Sequence, residues 1–508
     1  MNSRAFNSMR NTTYAFASQG IVSIMAFITR TIFIYALGNT YLGLSGLFGD
    51  ILTFLSLAEL GVGTAIIYSM YKPLANDDKK MVSALVNLYG KIYFYMGIIV
   101  TTIGLSLTPF LSFFISDMPD IPELNLIYIL YLLNTSLSYF FIYKKSMLIA
   151  TQNSHIISII QASVVLIQNI LQITFLLIFK SFIIYLIIQI VCVLLNNICI
   201  SIYVDRKYEY LKEYKKERVN KETKREILKN VSAMFLNKIS SVIVTSTDNI
   251  LISKFVSTIV LGYYSNYILF TNLVRQIFSK IFESITGGIG NLVSTESKEK
   301  SYETFEKIFF ANFWIIAFIS TMLFIMVNPF IELWLGKTYL LSMSIVFLIC
   351  FNLYMRFIRD TSLTFIETCG LFWSIKWKCI FEAVINLISS ILYLKYFKLG
   401  IAGVLLGTLT SNLLTNFWYE PYIIYKNKFN VSVKNYYIKF LRYTIVALVA
   451  GGIAYLGCRI NLTGNRIIEF GVDLILASIV INFIYFCCFF KTAEFKYFKN
   501  IIIKVLKK

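Results

Sequence analysis

Long apolar runs, separated by short polar stretches, fill nearly the whole chain. Within each run the apolar residues are continuous instead of alternating. The pattern therefore predicts helices surrounded by hydrocarbon, not strands with one wet face. About fourteen runs reach the ~20 residues that a helix needs to cross a ~30 Å hydrocarbon core. They lie near residues 12–37, 41–70, 82–115, 121–149, 156–179, 182–204, 231–255, 258–293, 302–335, 340–366, 372–396, 400–425, 437–458 and 467–490. The longest have length to spare for tilting or for extending past the bilayer. The fold class expected is all-α and integral to the membrane, with about 14 transmembrane helices.

The seventh run repeats features of the first. Arg30 precedes TIFIYALGNTY and then Leu42-Gly43, and Asp248 precedes NILISKFVSTIV and then Leu261-Gly262. In both places an ionisable residue sits inside a membrane-length segment and a Leu-Gly pair opens the next one. Such repeats are how transporters build two halves that face each other across a polar path. The longest polar insert, Asp205 to Asn230, joins the halves and carries ten Lys and Arg. Its composition suits an amphipathic helix on the anionic inner leaflet and equally a solvated linker. The organisation expected is a six-helix N-terminal lobe over 1–204, a cytoplasmic basic linker over 205–230, a six-helix C-terminal lobe over 231–425, and two additional helices with a cytoplasmic basic tail over 426–508. An even number of helices per lobe gives both lobes the same polarity, so an axis along the membrane normal relates them.

Charge then sets the orientation. With the N-terminus inside, thirty-three Lys and Arg fall in inner loops and tails and six in outer loops. That bias predicts both termini in the cytoplasm and a multi-pass protein of the cell membrane. The net charge of +20 is thus a topology signal, and nucleic acid is not an expected partner. Composition agrees: the chain is 57% hydrophobic and 15% charged, with a mean hydropathy of +0.70. The first apolar run contains Arg30 and reads as a true span, not as a cleavable leader. Eight Cys are scattered through the spans with neither a disulfide framework nor a zinc spacing, and the single His, His155, argues against a His-based catalytic or metal centre. No Gly-rich phosphate loop is present, which argues against ATP hydrolysis.

Ionisable residues inside spans are costly and mark function. Lys91, Lys254 and Lys280 lie where they can snorkel to head groups. Arg356 and Arg359 also fall within a span. Arg30, well inside the first span, and Arg275, near the middle of the eighth, are harder to dismiss. With Lys238 they are the candidate substrate-binding residues, because guanidinium forks match the oxygens of a phosphate-bearing anion. Asp248, Glu59 and Glu283 are the candidate acids, for binding a coupling cation or for pairing with the arginines. A bland alternative has Arg30 paired with Asp248 or Glu59 only to stay neutral.

Many phrases together resemble a known family. They include Ser3-Arg4 with Asn7, the run from Tyr41 to Lys72, Asp248-NILIS-Lys254, Leu261-GYYSN-Tyr267, Glu332-LWLGKTYL-Leu341, the run from Gly370 to Ile391, and that from Gly400 to Leu413. In order and spacing they are similar to the polysaccharide-transporter family of the multidrug/oligosaccharidyl-lipid/polysaccharide exporter superfamily, over roughly residues 1 to 490. The repeat-unit flippases of Gram-positive capsule clusters are the nearest likeness. The resemblance implies a V-shaped pair of six-helix lobes that alternates between inward and outward openings, with arginines on helices 1 and 8 lining the cavity. It implies as substrate an oligosaccharide on undecaprenyl diphosphate, moved from the inner to the outer leaflet for capsule or other surface polysaccharide. It implies no cofactor apart from a coupling cation, proton or sodium, no catalytic step, and as partners membrane lipid, a polysaccharide polymerase and other assembly proteins. Two other functions are weighed. A cation-coupled multidrug exporter of the same superfamily would lean on acidic cavity residues. A membrane polymerase or glycosyltransferase would need a larger loop or domain than the outer loops here provide.

Overall fold

The computed structural model of the chain describes residues 4–56, 62–115, 121, 123–151, 153–225, 227, 246–460 and 464–506. Among these residues every regular element is a helix. Packing divides the chain into two units, Met1–Gly262 and Tyr263–Lys508.

The first unit contains α1 Arg4–Leu37, α2 Asn39–Leu55, α3 Val62–Ala75, α4 Lys79–Leu107, α5 Leu124–Phe141, α6 Lys145–Ala150, α7 Ser154–Phe179, α8 Phe182–Lys207 and α9, over residues 246–255. Gly38, at φ +85°, makes the break between α1 and α2, a backbone conformation that L side chains rarely adopt. Asp78 caps α4 by accepting from the Met81 amide at 2.9 Å. Large apolar side chains such as Ile24, Ile28, Phe94, Ile98, Ile170 and Leu177 point outward. Such exposure is expected where hydrocarbon and not water is the solvent.

Among the described residues, eight helices are long and apolar enough to cross a membrane, and up to nine if the bent pair Leu124–Phe140 and Ile142–Ala150 is one span. Other expected spans come in pieces: 41–70 holds α2 and the start of α3, separated by residues outside the described set. The basic insert begins docked, not free. Asn87 of α4 donates to the carbonyls of Tyr214, Lys215 and Glu217 at 3.3, 3.0 and 3.2 Å, and Leu211 is buried.

The repeated Leu-Gly pairs have a packing reason. A Cβ at Gly43 would strike the carbonyl oxygen of Thr258, and one at Gly262 would strike that of Asn39. Asn39 and Thr258 each open a helix, and each glycine lies four residues into it. The two helix starts therefore cross with each glycine under the other's first residue, a small-residue contact that lets membrane helices approach closely. The obstacles are backbone atoms, which cannot swing aside as a side chain would. Gly43→Val or Gly262→Val is expected to destabilise by about 1–3 kcal/mol, read as a lower thermal midpoint in detergent. An unchanged midpoint for both would show that the crossing is loose.

The second unit continues along α10 Thr258–Thr295, then α11 Lys298–Leu335, α12 Met343–Phe357, α13 Asp360–Thr368, α14 Lys376–Lys395, α15 Ile401–Ser411, α16 Phe417–Ile424, α17 Lys434–Gly457, α18 Arg466–Phe489 and α19 Ala493–Leu506. A π turn, Asn412–Asn416, joins α15 to α16, and a second, Tyr425–Phe429, follows α16. The two helices expected beyond the repeat, α17 and α18, share one aromatic core with α11. Phe313 stacks on Tyr443 with centroids 4.3 Å apart, and both pack edge-on to Phe489 at 5.4 Å.

Candidate functional site

Arg30 lies in α1 one residue after Thr29, whose hydroxyl donates to Asn169 Oδ1 of α7 at 2.5 Å. Phe33, one turn on, packs edge-on to Phe182 and Tyr185 of α8 at 5.4 and 5.1 Å. The Arg30 guanidinium comes within electrostatic range of the Tyr185 phenol. The stretch of α1 that carries it thus packs against α7 and α8 of the first unit. Asp248 is half-buried on α9, and its neighbour Asn249 donates to the carboxylate of Asp50 on α2. Asp50 was not among the expected acids, and a sequence reading had a signal for it: an acid inside an apolar run. Lys238 and Glu59 lie outside the described residues, as does the side chain of Glu283.

The second unit holds a cluster of buried charge. Glu420 of α16 is 0% exposed, and Arg359 grips it with two parallel bonds, Nε to Oε2 at 2.9 Å and Nη2 to Oε1 at 2.6 Å. Lys378 of α14 donates to Glu420 Oε1 at 2.7 Å. Glu382, one turn beyond Lys378, lies 3.6 Å from its ammonium and 3.9 Å from Arg359. Asn416 Nδ2 donates to Glu382 at 2.5 Å. Two cations and two carboxylates, from α14, α16 and the turn that ends in Arg359 before α13, therefore neutralise one another. Desolvating them is costly, and close geometry with further hydrogen bonds offsets that cost.

This cluster corrects one reading of the sequence. Lys378, counted there with the loop charges, is only 7% exposed and belongs to the buried network. Arg275 of α10 and Arg356 of α12 flank the network but take no part in its ion pairs, and among the described residues Arg275 Nε is buried without an acceptor. A second buried acid, Glu306, accepts from Lys439 and from the Tyr425 hydroxyl, and Lys439 also meets Glu494 at 2.6 Å. That set ties α11, α17 and α19 together at one end. Of the three lysines read as snorkelling, Lys91 and Lys280 are exposed, and Lys254 rests 4.4 Å over the Phe113 ring. Arg30 and Arg275, the two arginines singled out from sequence, sit in different units with different surroundings.

The profile of one protein family, described as polysaccharide biosynthesis protein, matches residues 8–286. Several solved structures share the fold. The lipid II flippase MurJ in an inward closed conformation aligns with a TM-score of 0.68 and 16% identity, over 94% of this chain and 98% of its own. An inward-facing multidrug resistance MATE transporter of the MOP superfamily aligns at 0.62 and 15%, over 79% and 95%. A MOP-superfamily transporter from Pyrococcus furiosus, described as having a binding pocket of reverse polarity, aligns at 0.56 and 14%, over 80% and 92%. The all-helical fold expected from the apolar runs is thus that of the MOP superfamily. No curated protein sequence matches the chain.

Proposed function

The chain belongs to the polysaccharide biosynthesis protein family, and from that premise we propose that it is a flippase for undecaprenyl-diphosphate-linked oligosaccharide repeat units. It moves them from the inner to the outer leaflet of the cell membrane by alternating access, for capsule or other surface polysaccharide. The observation that carries this reading is a pair of arginines inside membrane-length helices, Arg30 and Arg275, the second with a buried Nε that has no acceptor among the described residues. A sugar head cannot enter hydrocarbon bare, because its hydroxyls lose their water partners. A polar route removes that penalty while the prenyl tail stays in lipid. The diphosphate diester carries two negative charges, and outward movement gains about 2.3 kcal/mol per charge per 100 mV with the inside negative.

In this reading Arg30, Arg275 and Lys238 meet the diphosphate during passage. Asp248, Glu59 and Glu283 bind a coupling cation or balance the arginines. Both termini face the cytoplasm, and a polymerase outside takes the product. The cavity candidates are mainly basic, which favours an anionic substrate over the cationic drugs of a multidrug exporter.

The test is a vesicle assay with the purified chain and a fluorescent lipid-linked oligosaccharide. Protein-dependent movement between leaflets is expected, and imposed proton or sodium gradients identify the coupling ion. Vesicles that export cationic dyes and leave the lipid-linked oligosaccharide in place would overturn the proposal.

A further inference from the structure

Four basic side chains converge in the second unit, and they share the acids unevenly. Arg359 and Lys378 take both Glu420 and Glu382. Among the described residues no carboxylate comes within ion-pair distance of Arg275 or Arg356. Helices α10 and α12 meet where the Phe278 and Phe357 rings lie 5.1 Å apart. Arg275 is one turn before Phe278, and Arg356 immediately precedes Phe357. The same contact therefore brings the two guanidiniums within electrostatic range of each other. Arg359, Asp360 and Glu382 also act on Arg356 at longer range. Glu382 is already taken, so among the described side chains Asp360 is the carboxylate left, and one carboxylate does not neutralise two arginines. Two like charges held together at membrane depth are costly unless an anion joins them.

We propose that Arg275 and Arg356 form a two-guanidinium clamp for the diphosphate of the substrate, with Arg356 a substrate-holding residue in its own right. The inference rests on the flippase reading and names the part of the substrate that this unit holds. Each planar fork presents paired donors to phosphate oxygens, so two forks suit a diphosphate better than a single phosphate. The neutral set of Arg359, Lys378, Glu382 and Glu420 is the scaffold: it fixes α13, α14 and α16 without competing for the anion. The observed asymmetry follows from this division, with saturated pairs on one side and, among the described residues, two arginines outside any ion pair on the other.

The test uses the full chain in phosphatidylcholine nanodiscs and calorimetric titration with farnesyl diphosphate. The wild type is expected to bind it about tenfold or more tightly than farnesyl monophosphate, as paired charge-assisted forks imply. Arg356→Ala is expected to lose roughly tenfold or more of that affinity. Arg356→Lys, which keeps charge and loses the fork, serves if the alanine variant does not fold. It is expected to lose most of the diphosphate preference. Arg459→Ala, at an exposed position, controls for surface charge and binds as the wild type does. Wild-type affinity in a folded Arg356→Lys protein, or no preference for diphosphate in the wild type, overturns the clamp. Displacement of the probe by phosphatidylglycerol also overturns it, since the site would then serve phospholipid head groups. Leaflet transport with unchanged Arg356→Lys binding removes the clamp alone. Diphosphate binding without leaflet transport leaves the anion site and removes the flippase.

Discussion

Arg275→Ala lowers transport of lipid-linked oligosaccharide in vesicles roughly 100-fold and abolishes surface polysaccharide in cells, while the protein still reaches the membrane. The size follows from removing one partner of a desolvated charge contact, which costs about 2–5 kcal/mol, and from the tenfold change that each ~1.4 kcal/mol represents. Folding is expected to survive, because among the described residues Arg275 makes no ion pair and its Nε has no acceptor to lose. Arg30→Ala has the same expected outcome, measured by immunoblot of membranes alongside polysaccharide staining. The bond from its neighbour Thr29 to Asn169 ties α1 to α7 without the guanidinium. Normal polysaccharide output from both variants would show that neither arginine meets the substrate.

Glu420→Ala has the opposite signature: the protein itself fails. Its carboxylate is fully buried and holds both Arg359 and Lys378. Removing it leaves two buried cations to share Glu382, which lies 3.6 Å or more from each. Breaking a buried pair from one side costs about 3–5 kcal/mol, or a drop in thermal midpoint of roughly 10 °C for a unit of this size. Glu420→Gln, which keeps one acceptor, falls between. Detergent-solubilised protein with a wild-type midpoint for Glu420→Ala would show that the network is solvated and adds little. The contrast between loss of transport in a folded Arg275 variant and loss of folding in a Glu420 variant separates the groups aimed at the substrate from those that hold the scaffold.

The sequence discloses the helices readily because hydrocarbon imposes a single rule on them, a continuous apolar run, and α1, α4, α7, α8, α11, α14, α17 and α18 all obey it. The Leu-Gly repeat is legible for the same kind of reason. A glycine under a crossing backbone has no substitute, so Gly43 and Gly262 stand out. The buried network is hidden because its neutrality is assembled from residues 359, 378, 382 and 420, far apart along the chain. Lys378 near the start of an apolar run reads as a loop charge, and Glu420 near the end of one reads as a boundary. Only their meeting shows that both are inside. Arg356 and Arg359, three residues apart, look alike in sequence. The fold gives Arg359 two carboxylates and Arg356 a neighbouring arginine. Asp50 is legible as an acid inside an apolar run, whereas its pairing with Asn249, in a different run, is not.

The π turn at Asn412–Asn416 closes with the Phe417 amide on the Asn412 carbonyl, five residues back. Such a turn arises when one extra residue is accommodated inside a helix. Each residue of helix advances the side-chain direction by about 100°. Excising a residue ahead of Asn416 would restore ordinary winding and swing Asn416 and Glu420 together away from Arg359, Lys378 and Glu382. Length in this segment is therefore as binding as identity: descendants of the chain are free to trade side chains around it but not to gain or lose a residue, so insertions and deletions among its relatives are expected to skip this stretch and gather elsewhere.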